Sequence, residues 1–202
     1  NSDYYDNTVF VLYGDHDARL DKKEYQYYYN YNTKTGKLYT ESDPEYVDFD
    51  NVDYELNKKT PLIIWTKNEE VANKIKGVNH NVIGMYDIMP TLGNMMGFYN
   101  PYALGHDIFE QGEDNIVIFP SGNFITNKVY YNNTSNSYRT LFVKNKNGND
   151  VKNVDIEDGY IENLKDYTEE RLTISNDIIV HDLISKEGKN LIYEDEKGEV
   201  SG

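Results

Sequence analysis

Asp15 and His16 follow directly on the apolar run Val9-Phe10-Val11-Leu12-Tyr13, with only Gly14 between. A carboxylate next to a neutral imidazole suits a hard or borderline divalent ion such as Mn²⁺, Mg²⁺ or Zn²⁺. In open α/β sheets, ligands bind outside the carboxyl ends of parallel strands, so a parallel strand over 8–13 would deliver both side chains to such a place. Gly14 is expected to let the backbone turn sharply enough for both to reach one point. The plainer reading of the same dipeptide is a capped turn. Arg19 follows in the same loop and suits either a phosphate contact or a solvated surface. His80, His106 and His181 share no metal-ligand spacing, and His181 is expected on a helix surface. The run Tyr25-Gln26-Tyr27-Tyr28-Tyr29-Asn30-Tyr31 follows the loop at once. Tyr27 and Tyr28 could line a cleft and stack on glycerol or sugar faces. They could equally decorate the outer face of an antiparallel excursion.

The elements that must hold these residues are legible in outline. Residues 8–13 read as a strand buried on both faces, and Pro61–Trp65 as a second, with Pro61 allowed at its first position. Residues 21–60 are a long polar excursion, with a hairpin turn expected at Lys34-Thr35-Gly36-Lys37. Asn68-Glu69-Glu70 starts a short helix that stops near Gly77. A second helix runs from Asp87 to Gly97, with Pro90 in its first turn, Gly97 just past its end, and Ile88, Leu92, Met95 and Met96 on one face. Asp87 and Thr91 are expected to be architectural. Short strands over 115–119, 124–131 and 139–144 suggest an antiparallel meander. Residues 161–186 read as a terminal helix with a break near 173–177, and with Leu164, Tyr167, Leu172, Ile178, Ile179 and Leu183 in the core.

Composition narrows the function. The 202 residues include 35 acidic and 20 basic side chains, a net charge of −15, which argues against a nucleic-acid partner and against non-specific docking on anionic lipid. There is no cysteine, which excludes disulfides, a thiol nucleophile and thiolate zinc sites. No apolar run approaches the ~20 residues of a membrane span, and no signal-peptide pattern is present. The abundance of tyrosine fits an AT-rich genome as well as a binding preference.

"GDHD" (14–17), "TPLIIW" (60–65) and "DIMPTLGNMMGF" (87–98) occur in the order and rough spacing of the sulfatase and alkaline-phosphatase superfamily. Within it the chain most resembles the C-terminal part of the catalytic domain of lipoteichoic acid synthases. "LGHDIF" (104–109), "PSGNFIT" (120–126) and "LTISNDIIVHDLI" (172–184) match that subgroup, and residues 18–59 are the divergent part. The resemblance implies an α/β fold with sulfatase-like layering over 1–112, a small antiparallel sheet plus terminal helix over 113–188, and a flexible tail over 189–202.

It also implies a chemistry. Asp15 and His16 would be two ligands of a single Mn²⁺ or Mg²⁺, with binding weakening as pH drops towards ~6 because His16 must be neutral. The nucleophilic threonine and the phosphate-holding groups would lie outside this chain, in the N-terminal half of the same catalytic domain, leaving the fragment inactive alone. The intact enzyme would move glycerol phosphate from phosphatidylglycerol to a growing polymer, at the extracellular face of a bacterial membrane. Rival expectations are a sulfatase or phosphodiesterase of the same superfamily, and a non-catalytic module that keeps the fold. Sulfatases typically carry Asp-Asn where this chain has Asp15-His16, which favours phosphoryl chemistry. An open sheet edge would offer a dimer interface.

Overall fold

The computed structural model describes residues 4–112, 115–141, 143–144, 150–151 and 154–186. The chain is mixed α/β, with several small sheets and five α-helices among the described residues. It divides into two compact units, Asn1–Val78 and Asn79–Gly202. The expected tail over 189–202 lies outside the described residues.

In the first unit, β1 (Val9–Tyr13) pairs with β4 (Leu62–Thr66) to form a two-stranded ribbon. The pairing is antiparallel, with Phe10 opposite Trp65 and Leu12 opposite Ile63, which corrects the expected parallel strand. Burial on both faces is corrected as well. Phe10, Leu12, Ile63 and Trp65 share one face and are exposed, whereas Val9, Val11, Leu62 and Ile64 on the other are half-buried. An unbroken apolar run reads as two-sided burial, but here the large side chains build a surface cluster instead. Tyr5, Phe10 and Trp65 lie with ring centroids 5.5–6.2 Å apart.

Between the ribbon strands, the polar excursion folds into α1 (Lys22–Tyr29), the hairpin β2 (Tyr31–Asn32)–β3 (Lys37–Leu38), and α2 (Asn51–Leu56). Helix α1 replaces the antiparallel reading of the tyrosine run. Asp21 accepts from the Glu24 amide and the Glu24 carboxylate accepts from the Asp21 amide, a capping box that fixes the helix start. Tyr25 and Tyr29, four residues apart and so on one face, pack on buried Phe49 at 5.6 and 5.2 Å. Buried Asn30 and the Gln26 side chain hold segment 47–49: Asn30 accepts from the Val47 amide, and Gln26 accepts from that of Phe49. The hairpin turn falls where expected, with the Gly36 amide donating to the Asn32 carbonyl at 2.8 Å. After β4, Asn68 caps α3 (Glu69–Ile75), also as expected.

The second unit begins with a 3-10 turn (Met85–Asp87) that runs into α4 (Ile88–Met96), closed by Gly97 at φ 76°. Thr91 and Gly93 are its buried positions, and Met96 is exposed instead of joining the inner face. Next come β5 (Ile116–Ile118), β6 (Phe124–Thr126), β7 (Val129–Asn132) and β8 (Ser137–Thr140). They form the antiparallel meander that the turn residues suggested. The expected strand over 124–131 breaks at Asn127-Lys128, where the Thr126 hydroxyl accepts from the Lys128 and Val129 amides. A further short pair joins β9 (Val143–Lys144) and β10 (Asp150–Val151).

Helix α5 (Tyr160–Val180) is continuous, so the expected break at 173–177 does not occur. Ser175 is only half-buried and Asn176 exposed, so neither needs to leave the helix to satisfy its side chain. Ile161, Leu164 and Tyr167 pack on Phe124, Val129, Tyr131 and Ile116. Ile179 and Leu183 lie past that contact and are exposed, contrary to expectation.

Candidate metal half-site at the end of the ribbon

Gly14 ends the ribbon, its amide donating to the Pro61 carbonyl at 3.3 Å. Its φ is not positive, so the expected sharp turn is not the reason for a glycine here. Thr60 is the reason: a Cβ on Gly14 would meet Thr60 Cβ at 3.0 Å and Cγ2 at 3.1 Å. The chain therefore passes close to Thr60 and releases Asp15 and His16 into solvent, with the Asp15 side chain 87% exposed and that of His16 49% exposed.

The two candidate ligands converge. His16 Nε2 lies 3.6 Å from Asp15 Oδ1, and His16 Nδ1 lies 2.6 Å from the Asp17 carbonyl oxygen. The carbonyl can only accept, so Nδ1 carries the proton and Nε2 presents its lone pair beside the Asp15 carboxylate. Ligating histidines are commonly oriented by such a carbonyl contact on the other ring nitrogen. The donor set thus fits a divalent ion as two of its ligands. Among the described residues no group of three or more His, Asp or Glu side chains forms a fuller cation site.

Asp17 is the residue that sequence reasoning undervalued. Its carboxylate accepts from the Arg19 amide at 3.2 Å, with Arg19 in the left-handed region at φ 53°. Its charge also raises the pKa of Tyr25, after the larger effect of desolvation. The carbonyl orients His16 while the carboxylate shapes the loop, and no spacing signal in the sequence announces that division. The loop is further pinned by Tyr54, whose hydroxyl donates to the Leu20 carbonyl at 3.2 Å.

The remaining sequence candidates separate. Arg19 is exposed on the loop, and Tyr27 and Tyr28 are exposed on the outer side of α1. His80 is exposed, and His181 ends α5 with Nε2 4.0 Å from Asp177, a surface position as expected. His106 donates its backbone amide to buried Asp87 in the second unit.

The pKa of His16 is raised, first by the Asp17 carbonyl and then by the Asp15 carboxylate. Protonated imidazole cannot ligate. Cation binding at the pair would therefore be present above the raised value and lost as pH falls through it, with loss beginning above the ordinary histidine value of about 6.5. A pH series of Mn²⁺ titrations checks this. An unchanged affinity down to pH 5.5 would remove His16 from the ligand set.

Comparison with known proteins shows what the chain is similar to. No protein-family model matches it. Lipoteichoic acid synthase 1 of Bacillus subtilis (strain 168) is 29% identical over 182 residues, covering 89% of this chain and 24% of that protein. Lipoteichoic acid synthase of Staphylococcus aureus (strain USA300) is 30% identical over 156 residues, covering 70% of this chain and 21% of that protein. The chain is lipoteichoic acid synthase-like. It spans about a quarter of the length of the curated relatives it matches. The similarity extends over most of this lipoteichoic acid synthase-like chain. Among the described residues, no helix is long and apolar enough to cross a membrane.

Proposed function

We propose that the chain supplies the Asp15–His16 half of a divalent-cation site in a phosphoglycerol transferase of the lipoteichoic acid synthase type. The observation that carries this reading is the geometry of the pair. Asp15 and His16 stand side by side at a strand end, and the Asp17 carbonyl fixes the histidine in the tautomer that can ligate. Similarity to lipoteichoic acid synthases supports the transferase class over a sulfatase or a non-catalytic module.

A bound Mn²⁺ or Mg²⁺ would neutralise charge on phosphoryl oxygens and lower the pKa of an attacking hydroxyl. The chain's own contribution is to hold two donors in place. The Asp15 carboxylate brings negative charge, His16 Nε2 brings a neutral lone pair, and Gly14 against Thr60 fixes where both emerge. On this reading the transfer takes glycerol phosphate from phosphatidylglycerol to a polymer at the extracellular face of a bacterial membrane. The threonine nucleophile and the other phosphate-holding groups come from elsewhere in the enzyme, so the chain alone is inactive.

Mn²⁺ titration of the chain, followed by electron paramagnetic resonance, tests the assignment. Binding should be weak, because two protein ligands leave most of the coordination sphere to water. Asp15→Ala should abolish it. Tight binding that survives Asp15→Ala would place the ion on other residues and end the reading.

A further inference from the structure

The loop that carries Asp15 and His16 is held at both ends. At its start the Gly14 amide donates to the Pro61 carbonyl at 3.3 Å, with Thr60 against the glycine. At its finish Asp21 is locked in the capping box with Glu24, and one residue earlier the Leu20 carbonyl accepts from the Tyr54 hydroxyl at 3.2 Å. Tyr54 belongs to α2, thirty-four positions further along the chain. Its half-buried ring is fixed independently of that hydroxyl. Tyr25 of α1 meets the ring edge-on at 5.8 Å, and Lys58 Nζ, paired with Glu55 at 2.8 Å, lies 4.5 Å from its centroid.

Between these ends the backbone takes a costly shape. Arg19 has φ 53°, in the left-handed region that residues other than Gly, Asn and Asp rarely enter. Such a residue persists only where its surroundings over-determine it. The Arg19 amide reaches Asp17 Oδ2 at 3.2 Å, and the carbonyl of the same Asp17 lies 2.6 Å from His16 Nδ1. A series of bonded groups therefore runs from the Tyr54 hydroxyl through Leu20, Arg19 and Asp17 to the imidazole. Of these bonds, that of Tyr54 is the one supplied from outside the loop.

We propose that Tyr54 is a positioning residue for the cation pair. Its hydroxyl holds the loop end so that Arg19 stays left-handed and the Asp17 carbonyl keeps His16 in the tautomer whose Nε2 can ligate. This rests on the reading of Asp15 and His16 as cation ligands given above. With phenylalanine at 54 the ring contacts remain, but the Leu20 carbonyl turns to water. Arg19 then relaxes to negative φ, its amide leaves Asp17, and the carbonyl loses its fixed place beside Nδ1. The imidazole samples both neutral tautomers, and in one of them Nε2 carries the proton and binds no cation. A purely structural role for Tyr54 would lower stability and leave the histidine as it is.

The test joins nitrogen NMR of the imidazole, at a pH where the ring is neutral, to Mn²⁺ titration by electron paramagnetic resonance. Both use the full 202-residue chain, and the His16 signals are assigned by their loss in His16→Gln. Wild type should show a protonated Nδ1 and a bare Nε2. In Tyr54→Phe the two nitrogen signals should move towards each other. Mn²⁺ affinity should fall about fivefold, against about tenfold or more for loss of a group bonded directly to a ligand. Tyr29→Phe is the control. Its hydroxyl donates to Asn57 just past the end of α2, so its removal loosens the same pair of helices away from the loop and should change neither readout. Unchanged nitrogen signals in Tyr54→Phe, or an unchanged Asp15-dependent Mn²⁺ affinity, would overturn the proposal. So would the same changes in Tyr29→Phe. Moved signals together with Mn²⁺ binding that survives Asp15→Ala would sink the cation assignment and leave Tyr54 as the residue that sets the His16 tautomer.

Discussion

Asp87→Ala is expected to cost the 79–202 unit about 3–5 kcal/mol of stability, among the largest effects available to a single substitution in this chain. The Asp87 side chain is fully buried. Its Oδ1 accepts from the His106 amide at 2.9 Å, and its Oδ2 accepts from the Gly84 amide at 2.8 Å and from Asn115 Nδ2 at 3.3 Å. The three donors come from three separate segments, so one carboxylate ties the entry to α4, the 104–109 loop and the start of β5. Alanine leaves the His106 and Gly84 amides without a partner in a buried space, each at a cost of about 1–3 kcal/mol before relaxation, while Asn115 keeps its bond to the Val82 carbonyl at 2.7 Å.

The fit around this anchor is close. A Cβ on Gly105 would run into the Tyr86 carbonyl oxygen, so the loop passes against the backbone at the entry to α4. One turn along, Thr91 extends the arrangement by donating to the Asp87 carbonyl at 2.6 Å and accepting from the Ile108 amide at 3.1 Å. Asp87→Asn should cost less, because one oxygen survives while the new amide faces a donor. Urea unfolding followed by circular dichroism measures both. A midpoint for Asp87→Ala within error of wild type would show that the anchor is dispensable.

Phe124→Ala is the second large effect, at about 3–5 kcal/mol. Phe124 is fully buried and stacks on Tyr131 with centroids 4.7 Å apart and 19° between planes. Ile116, Val129 and Ile161 close the remaining sides, so α5 and the meander share this one ring as their centre. Removing it takes away the stacking contact and leaves a cavity that β5, β7 and α5 would have to collapse to fill. Phe124→Leu should recover more than half of the loss by refilling most of the volume. A loss below about 1 kcal/mol for the alanine variant would mean that the core does not depend on this ring.

The sequence made the locally determined features legible. Asn68 before Glu69-Glu70, Gly97 after Met96, and the Lys34–Lys37 turn each specify their own geometry within a few residues, and each is found as read. The place of Asp15 and His16 just past a strand end was legible in the same way, because it needs no distant information. The ribbon was not. Whether β1 pairs parallel or antiparallel is decided by a partner some fifty residues away, and the unbroken apolar run hides which face meets solvent. The tyrosine run was misread for a different reason. Aromatic residues favour strands, but the Asp21–Glu24 capping box and the contacts of Tyr25 and Tyr29 with Phe49 win over that preference. The Asp-x-x-Glu spacing was there to be seen. The role of Asp17 was not, because a backbone carbonyl that orients a histidine leaves no trace in residue type.

The aromatic cluster on the ribbon holds Trp65, the only tryptophan in the chain. Indole emission excited apart from the tyrosines therefore comes from a single place, a half-exposed ring packed on Phe10 and Tyr5, on the same ribbon from which Asp15 and His16 emerge. Whatever settles over that face will dry the indole and move its emission towards the blue. Unfolding of the Phe124 core, which has no tryptophan, will be silent in the same signal. The molecule carries its own optical label on the ribbon, and the two units can be watched separately without attaching anything to either.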